Sequence, residues 1–200
     1  MTAAPLDLLV DDALMLAIAS GDTPALTELF RRRRDDVYRV ALLMTGRTQA
    51  AEDIAQDVFL AVMRDAHRYE PGRSTVTAWL CGIARNHARR RLDQDGRLSP
   101  FDGEGRGTEE PAVHPDPIGD IAAAQRLEAL RRAILNLPLR YREVVVLCDL
   151  QELSYADAAV AMDCAVGTVR SRLHRARALL TARMREGVHV RKSIIKRCLA

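Results

Sequence analysis

At 200 residues, with 48% hydrophobic but only 4% aromatic side chains, the chain can bury a sizeable core, and its richness in Ala, Leu and Arg points to helices rather than sheets. Its net charge of +3 hides an uneven distribution: residues 164–197 carry ten Lys or Arg against the single acid Glu186, while residues 98–124 hold Asp102, Glu104, Glu109, Glu110, Asp116 and Asp120 against Arg106 alone. One part of the chain is therefore built to meet a polyanion, and a membrane span or secretory leader is not expected, because no apolar run is long enough and no basic stretch precedes an apolar one at the N-terminus.

In chain order, residues 11–19 read as a short helix, stopped at Ser20-Gly21-Asp22, where a cap and an early Pro24 start a longer one. Leu26, Leu29, Phe30, Val37, Val40, Ala41 and Met44 recur there at helical spacing, with Gly46 as the stop. The run Arg31 to Arg34 reads first as a solvated surface. Thr48 is the expected cap of the next helix, with acids favoured in its first turn. Ile54, Val58, Ala61 and Val62 form its buried stripe. A second stripe, Asp53, Gln56, Asp57 and Leu60, mixes carboxylates, an amide and an apolar side chain, a set suited to a partner helix carrying Arg, although an ordinary amphipathic helix looks the same.

Residues 67–74 contain Pro71 and Gly72 and read as a loop, with Ser74 or Thr75 capping the helix after it. There Val76, Trp79, Leu80, Ile83 and Ala84 turn inward, and Arg85, Asn86, Arg89 and Arg90 lie along the other side. Residues 67–97 hold seven arginines against three acids, a second and smaller positive region. Trp79 reads as core, since its neighbours at helical spacing are apolar.

Residues 99–119, with Pro100, Gly103, Gly105, Gly107, Pro111, Pro115 and Pro117 and mostly acidic charge, read as a linker. The expected organisation is all-α: two small helical domains, 1–97 and 120–186, joined by a flexible acidic linker at 98–119 and followed by a basic tail at 187–200. The second domain should open with a helix ended by Pro138 and continue with one to about Leu150 through the apolar run Val144 to Leu147. Ser154 then caps a short helix to Met162, with Asp157 completing a capping-box-like pair, and Asp163-Cys164-Ala165 makes a tight turn. In the helix that follows, Val169, Leu173, Ala176 and Leu180 form one stripe, and Thr168, Arg170, Ser171, His174 and Arg175 lie broadly opposite. Helix, turn and basic helix is the arrangement that places side chains in the DNA major groove. In the tail, Ile194, Ile195 and Leu199 either pack or fray.

Cys81, Cys148, Cys164 and Cys198 are far apart and show no metal-ligand spacing, so reduced, mostly buried thiols and no metal or cofactor are expected. No phosphate-cradling Gly loop and no nucleophile beside a base is found, so no catalytic residues are assigned and the chain is not expected to be an enzyme.

Two multi-residue motifs in order, one on each side of the linker, carry a family resemblance. Residues 37–46, Ala51-Glu52-Asp53-Ile54-Ala55-Gln56-Asp57-Val58-Phe59 and Trp79-Leu80 to Ile83-Ala84-Arg85-Asn86 resemble region 2 of the bacterial sigma factors, and Leu153-Ser154-Tyr155 with Gly167-Thr168-Val169-Arg170-Ser171-Arg172 to Arg175-Ala176-Arg177 resembles region 4. The chain is similar throughout to the small extracytoplasmic-function (ECF) group.

That resemblance implies a cytoplasmic transcription initiation factor that binds RNA polymerase core and promoter DNA and is commonly held by an anti-sigma factor. Asp53, Gln56, Asp57 and Leu60 would dock on the coiled coil of the polymerase beta-prime subunit. Thr168, Arg170, Ser171, Arg172, His174, Arg175 and Arg177 would meet the minus-35 element, Arg172 and Arg177 on phosphates. Arg73, Ser74, Thr75 and Asn86 would serve the opened minus-10 element, with Arg85, Arg89 and Arg90 on its phosphates. The acidic linker would run through the polymerase cleft. Two departures stand out: Asp163 replaces a common turn Gly, and Ala158 a frequent larger aliphatic. The alternative class is a free-standing, dimeric helix-turn-helix regulator that binds an operator without polymerase.

Overall fold

The computed structural model describes residues 10–96 and 121–198, and every regular element among them is helical. The order is α1 (Asp11–Ala19), α2 (Thr23–Thr45), α3 (Thr48–Asp65), a single 3-10 turn (Ala66–Arg68) and α4 (Val76–Gln94), then α5 (Ile121–Leu135), α6 (Leu139–Val145), a π-helical turn (Val146–Leu150), α7 (Tyr155–Met162) and α8 (Val166–Cys198). The expected linker lies outside the described residues.

Local chemistry sets most boundaries. Asp22 caps α2 by accepting from the Ala25 amide at 3.0 Å, Pro24 sits in its first turn, and Gly46 ends it in the left-handed region at φ 74°. Thr75, rather than Ser74, caps α4, its hydroxyl accepting from the Ala78 amide at 3.2 Å. Ser154 caps α7 through the Asp157 amide at 3.0 Å, and its own hydroxyl donates to the Asp157 carboxylate at 2.7 Å. Asp163 closes α7 in the left-handed region, φ 50° and ψ 56°.

Four expectations are corrected. Thr48 is not a cap: Arg47 occupies that position without a side-chain bond, so Thr48 is already helical and Glu52 falls beyond the first turn. Phe30 is 40% exposed, its ring edge-on to Phe59 with centroids 4.8 Å apart, because the preceding turn places Leu29 rather than Phe30 over the core. The arginine run is not freely solvated: Arg31 and Arg32 bond Glu28, Arg32 and Arg33 reach Asp11 on α1, and Arg34 lies over the Phe30 ring. Finally, the helix after Pro138 does not run to Leu150 as one α-helix. It widens after Val145, with the Gln151 amide bonding the Val146 carbonyl and the Leu153 amide the Leu147 carbonyl. The backbone of α8 continues without a break into the expected tail as far as Cys198, and the packing of Ile194, Ile195 and Leu199 lies outside the described residues.

Helices α1 to α4 bury Leu14, Met15, Leu29, Val37, Val40, Met44, Val58, Val62 and Leu80; α5 to α8 bury Ile134, Leu137, Val144, Leu147, Met162, Val169 and Leu173. At roughly 1.5–3 kcal/mol per large apolar side chain, these sets are the main stabilising contributions in each half. The halves also touch. Helix α7 lies on α4 so closely that a Cβ on Gly82 would sit 3.3 Å from the Ala161 Cα and carbonyl oxygen, and the two cores join there. In the region around α4, Val76, Leu80 and Ala84 are buried while Trp79 and Ile83 are half-buried, Trp79 standing edge-on to the buried Tyr69 at 5.9 Å.

Candidate nucleic-acid interface

The basic helix α8 behaves as its pattern demands. Val169, Leu173 and Ala176 are buried and Leu180 half-buried, which turns Arg170, Ser171, His174 and Arg175 to solvent and leaves Thr168 and Arg172 half-buried. Neighbours hold several of these side chains in place. Arg170 lies 6.0 Å from the centroid of the Tyr155 ring at the start of α7, and the Ser171 hydroxyl donates to the Thr168 carbonyl at 3.1 Å. Arg175 sits against the Tyr141 hydroxyl and, with Arg140, lowers that phenol from its ordinary value. Arg177 is exposed but bound: its Nε and Nη2 meet both oxygens of Asp149, at 3.1 and 2.5 Å. A free phosphate-binding role for Arg177, expected from its position, therefore has a carboxylate competitor.

The α3 face presents a different chemistry. Gln56, Asp57 and Leu60 are exposed, Leu60 at 54%, and Asp53 is half-buried. Asp57 faces the His87 Nδ1 at 3.6 Å and Asp53 faces Arg91 at 3.6 Å, distances at the loose end of ion pairing. These carboxylates are steered from α4 without being consumed by it. Met63, 58% exposed, extends the apolar part of the face.

The third set divides. Arg73, Asn86 and Arg90 are exposed, with Arg73 paired to Glu70 at 3.2 Å. Ser74 offers its carbonyl to the Tyr69 hydroxyl at 3.0 Å, and the Thr75 amide donates to the Asp157 carboxylate of α7 at 3.1 Å. Arg85 is enclosed, while Arg89 keeps part of its side chain in solvent. Both reach Glu143 on α6: Arg85 Nε at 3.0 Å and Arg89 Nη1 at 2.7 Å share its Oε1, while Arg85 Nη2 lies 3.4 Å from Oε2 and Nη1 donates to Asn86. Glu143 is fully buried. Periodicity within α4 gave these arginines an outer face, and the packing of α6 and α7 supplied a partner that no local pattern announces.

Arg142 and Glu143 were missed from the sequence. The only local signal is that two opposite charges directly precede the apolar run Val144 to Leu147, where charged groups must find partners if the run is buried.

Taken together, the residues define a helical, two-domain DNA-binding protein of the helix-turn-helix class, with a second basic region and a separate acidic and apolar face. Family models agree on both parts: Sigma-70 region 2 matches residues 29–98 and Sigma-70 region 4 matches residues 127–180. The ECF RNA polymerase sigma factor SigM of Mycobacterium tuberculosis is 33% identical over 188 residues, covering 91% of this chain and 90% of that one. SigE of Mycolicibacterium smegmatis is 37% identical over 167 residues, or 80% of this chain, which spans 62% of that relative's length. Among solved structures, the chain is similar to the sigma factor RpoE in complex with the anti-sigma factor NepR from Bartonella quintana, with TM-score 0.66, 28% identity and coverage of 80% and 96%, and to CnrH in complex with the cytosolic domain of CnrY, with TM-score 0.66, 25% identity and coverage of 88% and 97%. The chain belongs to the ECF sigma factor family, whose members are transcription initiation factors.

Proposed function

We propose that this chain directs RNA polymerase core to a bipartite promoter, with residues 1–97 docking on core and engaging the minus-10 element, residues 98–119 linking, and residues 120–186 reading the minus-35 element, and that it performs no chemistry of its own. The observation that carries this reading is the pairing, in one chain, of an exposed acidic, amide and leucine face on α3 with an exposed basic recognition face on α8. A free-standing repressor has no use for the first. Asp53, Gln56, Asp57 and Leu60 meet the coiled coil of the beta-prime subunit. Arg170, Ser171, His174 and Arg175 read base edges in the major groove, where a bidentate Arg–guanine contact is worth ~1–3 kcal/mol of discrimination. Thr168, Arg172 and Arg177 stand at the backbone and position the helix.

At the minus-10 element, Arg73, Ser74, Thr75 and Asn86 receive unpaired bases, and Arg85, Arg89 and Arg90 hold phosphates. Unstacking a base costs a few kcal/mol, which stacking and phosphate contacts can offset. The chain acts in the cytoplasm, where polymerase and DNA are, and is held by an anti-sigma factor, a reading supported by the similar structures of complexes with NepR and CnrY. Among the described residues no helix is long and apolar enough to cross a membrane.

The test is transcription in vitro with purified core polymerase on a genomic library, with the starts mapped. A common upstream and downstream element at fixed spacing is expected. Tight binding of operator duplex by the chain alone, with no stimulation of core, would establish the free-standing regulator instead.

A further inference from the structure

The inference concerns Glu143 and rests on the reading of Arg85 and Arg89 as phosphate contacts. A fully buried carboxylate needs charged partners, and Glu143 finds both of its partners across the boundary between the halves, on α4. Guanidinium groups bind carboxylate and phosphate with the same planar donor geometry, so the two anions exclude one another at these arginines. Two further contacts close the same boundary. The Asp157 carboxylate accepts the Thr75 amide, taking the N-terminal cap of α4 and a third residue of the minus-10 set. Helix α7 rests directly on Gly82, where no larger side chain fits without displacing the Ala161 backbone.

We propose that Glu143 is an intramolecular stand-in for DNA phosphate: it holds the chain closed, with α6 and α7 over the minus-10 face of α4, until phosphates displace it from Arg85 and Arg89. The residue types favour exchange. Opening returns Glu143 to water, which relieves its burial, while the arginines move from one oxyanion to another. Binding therefore costs the population shift rather than a lost ion pair, and the apparent affinity is lowered by the fraction of chain that is closed.

Two substitutions in the full-length chain open the boundary by independent means. Glu143→Gln removes the competing charge at constant shape; Gly82→Gln crowds the contact of α7 with α4, where a Cβ alone would stand 3.3 Å from the Ala161 backbone, and touches no ionic group. Each is measured by the distance between fluorophores on the two halves, by circular dichroism, and by anisotropy with a short labelled single-stranded DNA. Both variants should keep native helicity, show greater separation, and bind the DNA about tenfold more tightly if closed chains outnumber open ones by about ten to one. Adding Arg85→Gln and Arg89→Gln to Glu143→Gln should keep the separation and remove the gain.

If neither variant increases the separation, the latch is overturned, whatever the chain binds. If both separate but the gain survives loss of the two arginines, competition for phosphate is overturned. Failure of the sigma-factor reading shows elsewhere, as absence of core-dependent transcription by the native chain. Should Glu143→Gln lose helicity, Gly82→Gln alone decides the outcome.

Discussion

The Arg142 guanidinium, on α6, donates to the Met44 carbonyl at the end of α2 at 2.6 Å. The same side chain also bonds the Leu135 and Leu137 carbonyls, the latter at 3.2 Å, so one buried cation gathers the last carbonyls of α2 and the turn after α5. Cationic donors suit those positions, since unsatisfied carbonyls concentrate at helix ends. Burial pushes the guanidinium down to about 10, which leaves it charged at neutral pH.

Arg142→Met should therefore fill much of the volume and still destabilise. It strands three buried acceptors, and the expected loss is about 3 kcal/mol, within the range for breaking a buried charged network. Urea denaturation monitored by circular dichroism checks this. A loss below about 0.5 kcal/mol would mean that water replaces the guanidinium without cost.

This network also marks the limit of what the chain announces about itself. The capped helices were legible because Asp22, Pro24, Gly46, Thr75 and Ser154 act on backbone within a few residues of themselves. The recognition face was legible because burial of Val169, Leu173 and Ala176 fixes where their neighbours point. The partners of Arg85 and Arg89 were not, because Glu143 lies more than fifty positions away and reaches them only through the packing of α6 and α7 on α4. Thr48 misled for a related reason: a good capping residue next to another possible start does not say which turn of backbone closes first.

Alkaline pH should weaken the fold from within. Burial raises the Cys81 thiol from 9.0 to about 12, and burial together with Asp12 raises the Tyr69 phenol above its ordinary value of 10.0. Both are acids whose folded pKa lies above the unfolded one, so the native chain holds more protons and stability falls as pH rises through the unfolded values. Melting temperature should decline from about pH 9 upward, and Cys81→Ala should remove the earlier part of that decline at the cost of a small cavity. A variant whose alkaline profile is unchanged would show that Cys81 ionises normally in the fold.

Asp163→Gly should stabilise the chain. Asp163 holds a left-handed backbone at the end of α7, a conformation that costs an L-residue about 1 kcal/mol and glycine little, partly offset by the greater freedom of glycine when unfolded. The expected net gain is about 0.5 kcal/mol, read from chemical denaturation midpoints at constant slope. Because Asp163 is exposed and has no hydrogen bond through its side chain among those described, no lost contact should cancel it.

Asp57→Arg should abolish association with core polymerase while leaving circular dichroism and melting unchanged. Asp57 is exposed, and the His87 imidazole that faces it stands 3.6 Å away, so little of the fold depends on the carboxylate. In the proposed docking, reversing the charge would set Arg against an Arg-bearing partner helix. Retained co-purification with core would remove α3 from the docking assignment.

Arg170→Ala and Arg175→Ala should reduce transcription from a cognate promoter and relax selectivity in its upstream element by ~1–3 kcal/mol each, because both side chains point to solvent from a helix whose other face is fixed in the core. Arg177 should behave differently. Asp149 holds two of its three donor nitrogens, Nε and Nη2, and a carboxylate in that place competes with any phosphate. Removing the competitor with Asp149→Asn should free the guanidinium, tighten duplex binding without changing sequence preference, and steepen the salt dependence by about one phosphate contact. Arg177→Ala should then abolish the extra slope in the double variant. A slope that is the same in native protein and Asp149→Asn would place Arg177 outside the DNA contact, as a strut between α8 and the turn at 146–150. Lost helicity in Arg170→Ala or Arg175→Ala would make those residues structural instead.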